Sequence, residues 1–205
     1  YSRQVHKTRV IDAKSSAAIG NILQNVIPYG TGKYAMEHVR LRSIDADRNK
    51  ILTKLSQPYP LLGKTGTAND YRNAAFVGYV PVLAKDQSGV SLEGGYTIGV
   101  YAGFDNNLPM VKGGFRVSGS VGALPAWSAV AQVLLDEEKI ADRLDAVDLT
   151  FNGLALQYPD VKQVFLPVAP NQGGAVVGGS AGLRQTTPPA SPASLCFGAV
   201  GANGR

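Results

Sequence analysis

"LLGKTGTANDYRNAAFVGYVP", residues 61–81, decides how this chain is read. It joins two short runs rich in β-branched and aromatic residues through Asn69-Asp70-Tyr71-Arg72-Asn73, and it carries Gly-Lys-Thr at 63–65. Such a tripeptide can cradle a phosphate or line the cleft of an acyl-transfer enzyme, and the two uses demand different surroundings. A phosphate loop needs G-x-x-x-x-G-K-[ST], because its first glycine lets the backbone curl until successive N–H groups converge on the anion. Here Pro58 stands at that first position, where its ring excludes positive φ, and Pro60 removes another amide donor. The residues after Thr65 lack the helical spacing whose N-terminus would hold the phosphate. A second Gly-Lys, Gly32-Lys33, has Ile27 at the first-glycine position and is followed by Tyr34, so it fails as well. The nucleotide-binding reading is set aside.

Outward from this stretch, "LLGKTGTA", "AAFVGYVPV" and "YTIGVYAGF" predict three neighbouring antiparallel strands. "NDYRN" is short enough for a hairpin, whereas "LAKDQSGVSLEGG" reads as a long polar loop. Upstream, Ile19, Ile22, Leu23, Val26 and Ile27 repeat at helical spacing behind Asp12, predicting a helix over 13–27 capped by Asp12 and ended by Pro28 and Gly30. Thr31 is the expected cap of a shorter helix through Tyr34, Ala35, Met36 and Val39, and 40–57 is an irregular or partly helical excursion. Downstream, Pro125 suits a first helical turn, and Trp127, Val130, Ala131, Leu134 and Leu135 make the apolar stripe of a helix over 124–138. The expected class is α+β, helices packed on an antiparallel sheet. Beyond 140, "DLTFNGLALQYPDVKQVFLPVAP" offers two short strands. From Asn171 to Arg205 the chain is mostly Gly, Ala, Ser, Pro and Thr, a composition that predicts a mobile tail. The expected division is 1–139 and 140–205.

Composition excludes several classes. With 205 residues, 44% of them hydrophobic, the chain has enough apolar material for a core. Its net charge of +5 comes from 20 Lys and Arg spread along the sequence without a dense run, which disfavours nucleic acid as a partner. Cys196 is the single cysteine, so no internal disulfide can form. The most apolar helical window, 121–135, is shorter than the ~20 residues of a membrane span and contains Pro125 and Gln132. The chain starts at Tyr1 without a leader pattern, which is read as an internal fragment or a processed product.

On a strand, Lys64-Thr65-Gly66-Thr67 has a chemistry of its own. Alternation sends Lys64 and Gly66 to one face and Thr65 and Thr67 to the other, and a sheet edge lets backbone N–H groups face a cleft. A cation and hydroxyls can hold a carboxylate, Gly66 permits close approach, and the N–H of Thr67 can donate to a developing oxyanion. The bland alternative is an exposed strand with a solvated lysine.

The order of helix, "YGTGKYA" (29–35), "GKTGTANDYRNAAFVGYVP", "YTIGVYAGFDNN" (96–107), Gly-rich turn and "ALPAWSAVAQVLL" resembles the C-terminal half of the transpeptidase domain of a class A, bifunctional penicillin-binding protein, over about residues 8–138. The resemblance implies part of a β-lactamase/transpeptidase-like fold. In it Lys64 supplies positive potential, Thr65, Gly66 and Thr67 bind the carboxylate of a stem peptide or β-lactam, and the Thr67 N–H is an oxyanion donor. Thr31 and Gly32 lie in a supporting turn beside the cleft, and Asn69 in the adjoining connection, where turn formation is an equal alternative for Asn69, Asp70, Tyr71 and Arg72. It implies neither cofactor nor metal. Peptidoglycan stem peptides, β-lactams and the N-terminal half of the domain are the implied partners, at the outer face of a bacterial cytoplasmic membrane, with any anchor upstream of this chain. A β-lactam hydrolase is disfavoured by "TANDYRNAAFVGYVP" and the long 83–95 loop. His6 and His38 are expected to be solvated and Trp127 to be core.

One requirement is not met within the chain. Acyl transfer needs a serine with a lysine three residues on, and a second serine with an asparagine two residues on. No serine from Ser2 to Ser194 has either; Ser43-Ile44-Asp45 is the nearest miss. The isolated chain is therefore expected to be inert, the alternative being a non-catalytic module that binds peptidoglycan or a partner protein.

Overall fold

The computed structural model describes residues 10–87, 89–144, 154, 156–158, 164–165 and 196–197. Helix α1 (Ala13–Tyr29) starts at Asp12, whose carboxylate accepts the Ser15 N–H at 2.9 Å and the Ser15 hydroxyl at 2.7 Å. These bonds favour the charged form and hold the Asp12 carboxyl below its usual range. The helix runs two residues past the predicted end: Pro28 forfeits a single hydrogen bond in the last turn, and Gly30 N–H closes on Val26 O at 3.1 Å. Helix α2 (Lys33–His38) is capped by Gly32, not by Thr31 as expected, and Thr31's hydroxyl has a different partner. The 40–57 excursion contains a regular helix, α3 (Ala46–Leu55), because Asp45 caps it by accepting Arg48 N–H at 2.7 Å.

The three predicted strands form as β1 (Leu62–Thr67), β2 (Asn73–Leu83) and β3 (Val90–Gly103), antiparallel in the order β1-β2-β3. Their registers pair Thr65 with Phe76 and Phe76 with Val100. The expected long polar loop is largely strand: Val82 pairs with Ser91 and Leu83 with Val90, and Ala84 N–H donates to Gly89 O at 3.0 Å where the two strands meet. Burial of Val90 in the core outweighs the polar residues around it. A short β6 (Leu156–Gln157) runs parallel to Val90–Ser91 and makes the sheet mixed rather than purely antiparallel. A hairpin, β4 (Val111–Lys112) and β5 (Phe115–Arg116), turns through Gly113 and Gly114. Both have positive φ, as a two-residue primed turn requires. A π-helical turn, Gly119–Ala123, leads into α4 (Leu124–Glu137) and then α5 (Ile140–Arg143). β7 (Val164–Phe165) pairs antiparallel with β8 (Cys196–Phe197). His6 and, apart from β8, the expected tail from Asn171 lie outside the described residues.

Two helices cover the sheet unequally. One face carries Ala74, Phe76, Gly78 and Val80, all buried, and packs on α4, where the Trp127 ring meets Phe76 edge-on at 4.9 Å and its indole N–H donates to Ile98 O at 3.1 Å. Of the stripe predicted for α4, Trp127, Ala131 and Leu135 are buried, but Val130 faces solvent. Gln132 takes a buried position instead, accepting Arg40 N–H at 2.8 Å and donating to Arg40 O at 2.9 Å, which satisfies its amide. On the other face α1 approaches through small residues. A Cβ on Gly20 would meet the Tyr158 ring at 2.8 Å and Leu62 at 3.6 Å. Ile19 and Ile22, expected to face the core, are exposed, and so are Val77 (54%) and Tyr101 (67%), whose register puts them on the same face as Lys64.

Candidate functional site

β1 is an edge strand, and its outer side has no strand partner among the described residues. Ala68 N–H donates inward to Asn73 O at 2.9 Å. N–H groups alternate sides along a strand, so the Thr67 N–H points to the free edge. Exposed Lys64 bends toward the same edge, where its Nζ donates to Thr65 O at 3.0 Å and to Thr65 Oγ1 at 3.3 Å. The ideal alternation that separates Lys64 from Thr65 thus holds for the Cβ atoms but not for the flexible amine. Both acceptors are neutral, and Lys64 takes part in none of the ion pairs among the described residues, which join Lys50 to Asp47, Arg72 to Asp70 and Lys85 to Glu93. An uncompensated ammonium beside a hydroxyl and a free backbone N–H attracts an anion.

Thr31 reaches this edge from the turn between α1 and α2: its Oγ1 lies 2.7 Å from Thr65 Oγ1. Gly32, behind it, is buried, and a Cβ there would fall 2.8 Å from Ile27 Cδ1. Thr67's hydroxyl is engaged from the sheet face, accepting Gly119 N–H at 3.0 Å. Gly119 is a site residue that sequence reading passed over as part of a Gly-rich passage. A Cβ on it would stand 2.5 Å from Ala75 O and 2.6 Å from Gly66 O, so the turn before α4 rests directly on β1 and β2. The only available signal was the run of small residues, Ser118-Gly119-Ser120, ahead of the Pro125 helix.

Asn69 opens a 3-10 turn, Asn69–Tyr71, in which Asp70 and Tyr71 both have positive φ. The turn is braced from outside: Arg72 Nη1 donates to Asn107 O at 2.8 Å, Met110 N–H to Tyr71 O at 2.9 Å, and the Arg116 guanidinium sits 5.5 Å above the Tyr71 ring. Asn69 is thus two residues past Thr67, at the end of the edge, in a turn that fixes where the strand stops. His38 is exposed and stacked on Tyr34 with ring centroids 3.6 Å apart, its Nδ1 against Tyr34 O at 2.8 Å. Ser43 bonds to Asp142, a contact that ties the chain before α3 to α5. No group of three or more His, Cys, Asp or Glu is placed to hold a metal ion among the described residues, and no helix there is long and apolar enough to cross a membrane.

Known proteins can be set beside this geometry. No family model matches the chain. Penicillin-binding protein 1A of Pseudomonas aeruginosa is 32% identical to it over 119 residues, which is 58% of this chain and 10% of that relative. The similarity supports a distant, partial relationship to the penicillin-binding proteins; the chain spans about a tenth of the relative's length.

Proposed function

We propose that the chain is part of a serine-type D-Ala-D-Ala transpeptidase of the class A penicillin-binding kind, comprising the C-terminal half of the acyl-transfer domain (1–139) and an extension (140–205). The observation that carries this reading is the convergence of Lys64 Nζ, the Thr65 hydroxyl and the Thr67 N–H on one open strand edge. In the reaction, the hydroxyl of a serine outside these 205 residues gives up its proton and attacks the carbonyl of the penultimate D-Ala. The C–N bond breaks, the terminal D-Ala leaves with a proton, and an amine of a second stem peptide then displaces the serine to form the cross-link. Thr65 and Lys64 hold the carboxylate of the donor or of a β-lactam, and the Thr67 N–H stabilises the tetrahedral oxyanion, a contribution typically worth ~10²- to 10³-fold in rate. Gly66 keeps the edge open to the peptide.

The bare sheet face supports the same reading. Val77 and Tyr101 leave apolar surface exposed on the Lys64 face of the sheet, the kind of surface that marks a place where something packs. The polypeptide bearing the serine would cover it and bring the nucleophile over Lys64. The working place of such an enzyme is the outer face of the bacterial cytoplasmic membrane.

A fluorescent penicillin tests the proposal. The longer parent protein should be labelled covalently, and the 205-residue chain alone should stay unlabelled. Labelling of the isolated chain would contradict the assignment of the nucleophile elsewhere; a parent that resists labelling and lacks S-x-x-K would favour a peptidoglycan-binding module without catalysis.

A further inference from the structure

The Thr65 hydroxyl carries one proton and two lone pairs. Lys64 Nζ, an ammonium that can only donate, takes one lone pair at 3.3 Å. Thr31 Oγ1, 2.7 Å away, is therefore left with one of two arrangements. If Thr65 gives its proton to Thr31, the Thr65 hydroxyl has no proton left for a ligand, and the free proton is Thr31's own. If Thr31 gives its proton to Thr65, the Thr65 proton is released toward the open side. A carboxylate seated against Thr65 Oγ1 and Lys64 Nζ accepts and never donates, so its arrival there selects the second arrangement. Thr31 is also held rigidly for this purpose. Gly30 N–H and Gly32 N–H, on either side of it, both donate to Val26 O, at 3.1 and 3.0 Å, and neither glycine has room for a side chain.

We infer that Thr31 is a positioning residue: its hydroxyl donates to Thr65 Oγ1 and thereby aims the Thr65 proton at the carboxylate of the acyl donor. The inference rests on the acyl-transfer reading above and adds to it a residue on another element, 34 positions away in sequence, that acts only through Thr65. Its effect is confined to ligands that bring a carboxylate. A residue that merely held the turn in shape would affect every ligand alike.

The experiment uses the full-length parent protein and its Thr31→Val and Thr31→Ser variants. The acylation rate constant is measured with a penicillin and with the same penicillin as its methyl ester. Loss of one such hydrogen bond corresponds to roughly a tenfold change. Thr31→Val should be acylated by the acid about tenfold more slowly than wild type and by the ester at the wild-type ester rate, while Thr31→Ser restores the acid rate to within about twofold. The acid-to-ester ratio within one variant is independent of how much of the sample is folded, so it remains decisive even if Thr31→Val is unstable. An unchanged ratio in Thr31→Val overturns the inference, as does a serine variant that behaves like valine. If wild-type parent is not acylated by either compound, the acyl-transfer reading itself falls and takes the inference with it; acylated wild type with an unchanged ratio removes the Thr31 role alone.

Discussion

Gly78 and Gly66 lie on adjacent strands and are glycine for different reasons. A Cβ on Gly78 would stand 2.6 Å from Trp127 Cζ2, 2.7 Å from Leu62 O and 2.8 Å from the Phe76 ring, so the chain's own packing excludes it. A Cβ on Gly66 would meet nothing nearer than Ala75 Cβ at 3.5 Å, an ordinary contact. Gly66 also has no positive φ that would demand glycine. What separates the two is the origin of the constraint: the α4 face is specified by atoms within this chain, whereas no atom within contact of Gly66 demands a glycine there, and the proposed acyl donor would supply the reason.

That contrast breaks if the two regions respond alike to substitution. The largest stability effect is expected at Trp127, fully buried and bonded to Ile98 O: Trp127→Ala should cost about 3–5 kcal/mol, read by urea denaturation. Gly78→Ala should cost about 1–3 kcal/mol through overpacking against the same ring. Tyr59→Phe belongs to the packed region too, since Tyr59 Oη donates to Pro81 O at 2.6 Å in a buried site, and leaving that carbonyl unpaired should cost about 1–3 kcal/mol. Burial, with the Glu138 charge second, pushes the Tyr59 phenol well above its ordinary value. A folded-state value above the unfolded one favours the protonated fold, so this stability is complete below about pH 10 and is lost as pH rises beyond it. The alkaline decline of the melting temperature should be shallower in Tyr59→Phe.

At the edge the expected stability effects are smallest and the functional ones large. Gly66→Ala should stay within about 1 kcal/mol of wild type, with a gain as natural as a loss, because alanine restricts the unfolded chain. Lys64→Ala, at an exposed position without an ion-pair partner, should change stability by no more than about 0.5 kcal/mol. Both should slow penicillin acylation of the parent, Lys64→Ala by on the order of 10²-fold. A Lys64→Ala variant that melts early would mean that Lys64 is a structural residue and the contrast is false.

How far each region could be read from sequence follows from the same division. The strands, the α4 helix and the burial of Trp127 were legible because apolar periodicity and turn residues act locally. The β3 extension was not, since Val90 and Leu92 are isolated apolar residues in a polar stretch and their packing depends on distant chain. The burial of Gln132 has no local signal, because its amide satisfies Arg40's backbone, a partner 92 positions away. Lys64, Thr65 and Thr67 could be singled out from their spacing. The sequence around Thr31 points to a helix cap in a turn beside the cleft and not to its Thr65 contact, and the Gly119 contact has no local signature, because both meet β1 from other elements. For Ile19 and Ile22 the helical spacing located the helix but not its buried side, because α1 settles on the sheet through small Gly20.

A crystal structure of the parent protein acylated by a penicillin tests the central claim most directly. The account predicts the ligand lying along the outer edge of β1, its carboxylate within hydrogen-bond distance of Thr65 Oγ1 and its acyl oxygen on the Thr67 N–H, joined covalently to a serine from outside this chain. A ligand bound elsewhere, or a β1 edge paired with another strand and closed to it, would contradict that claim.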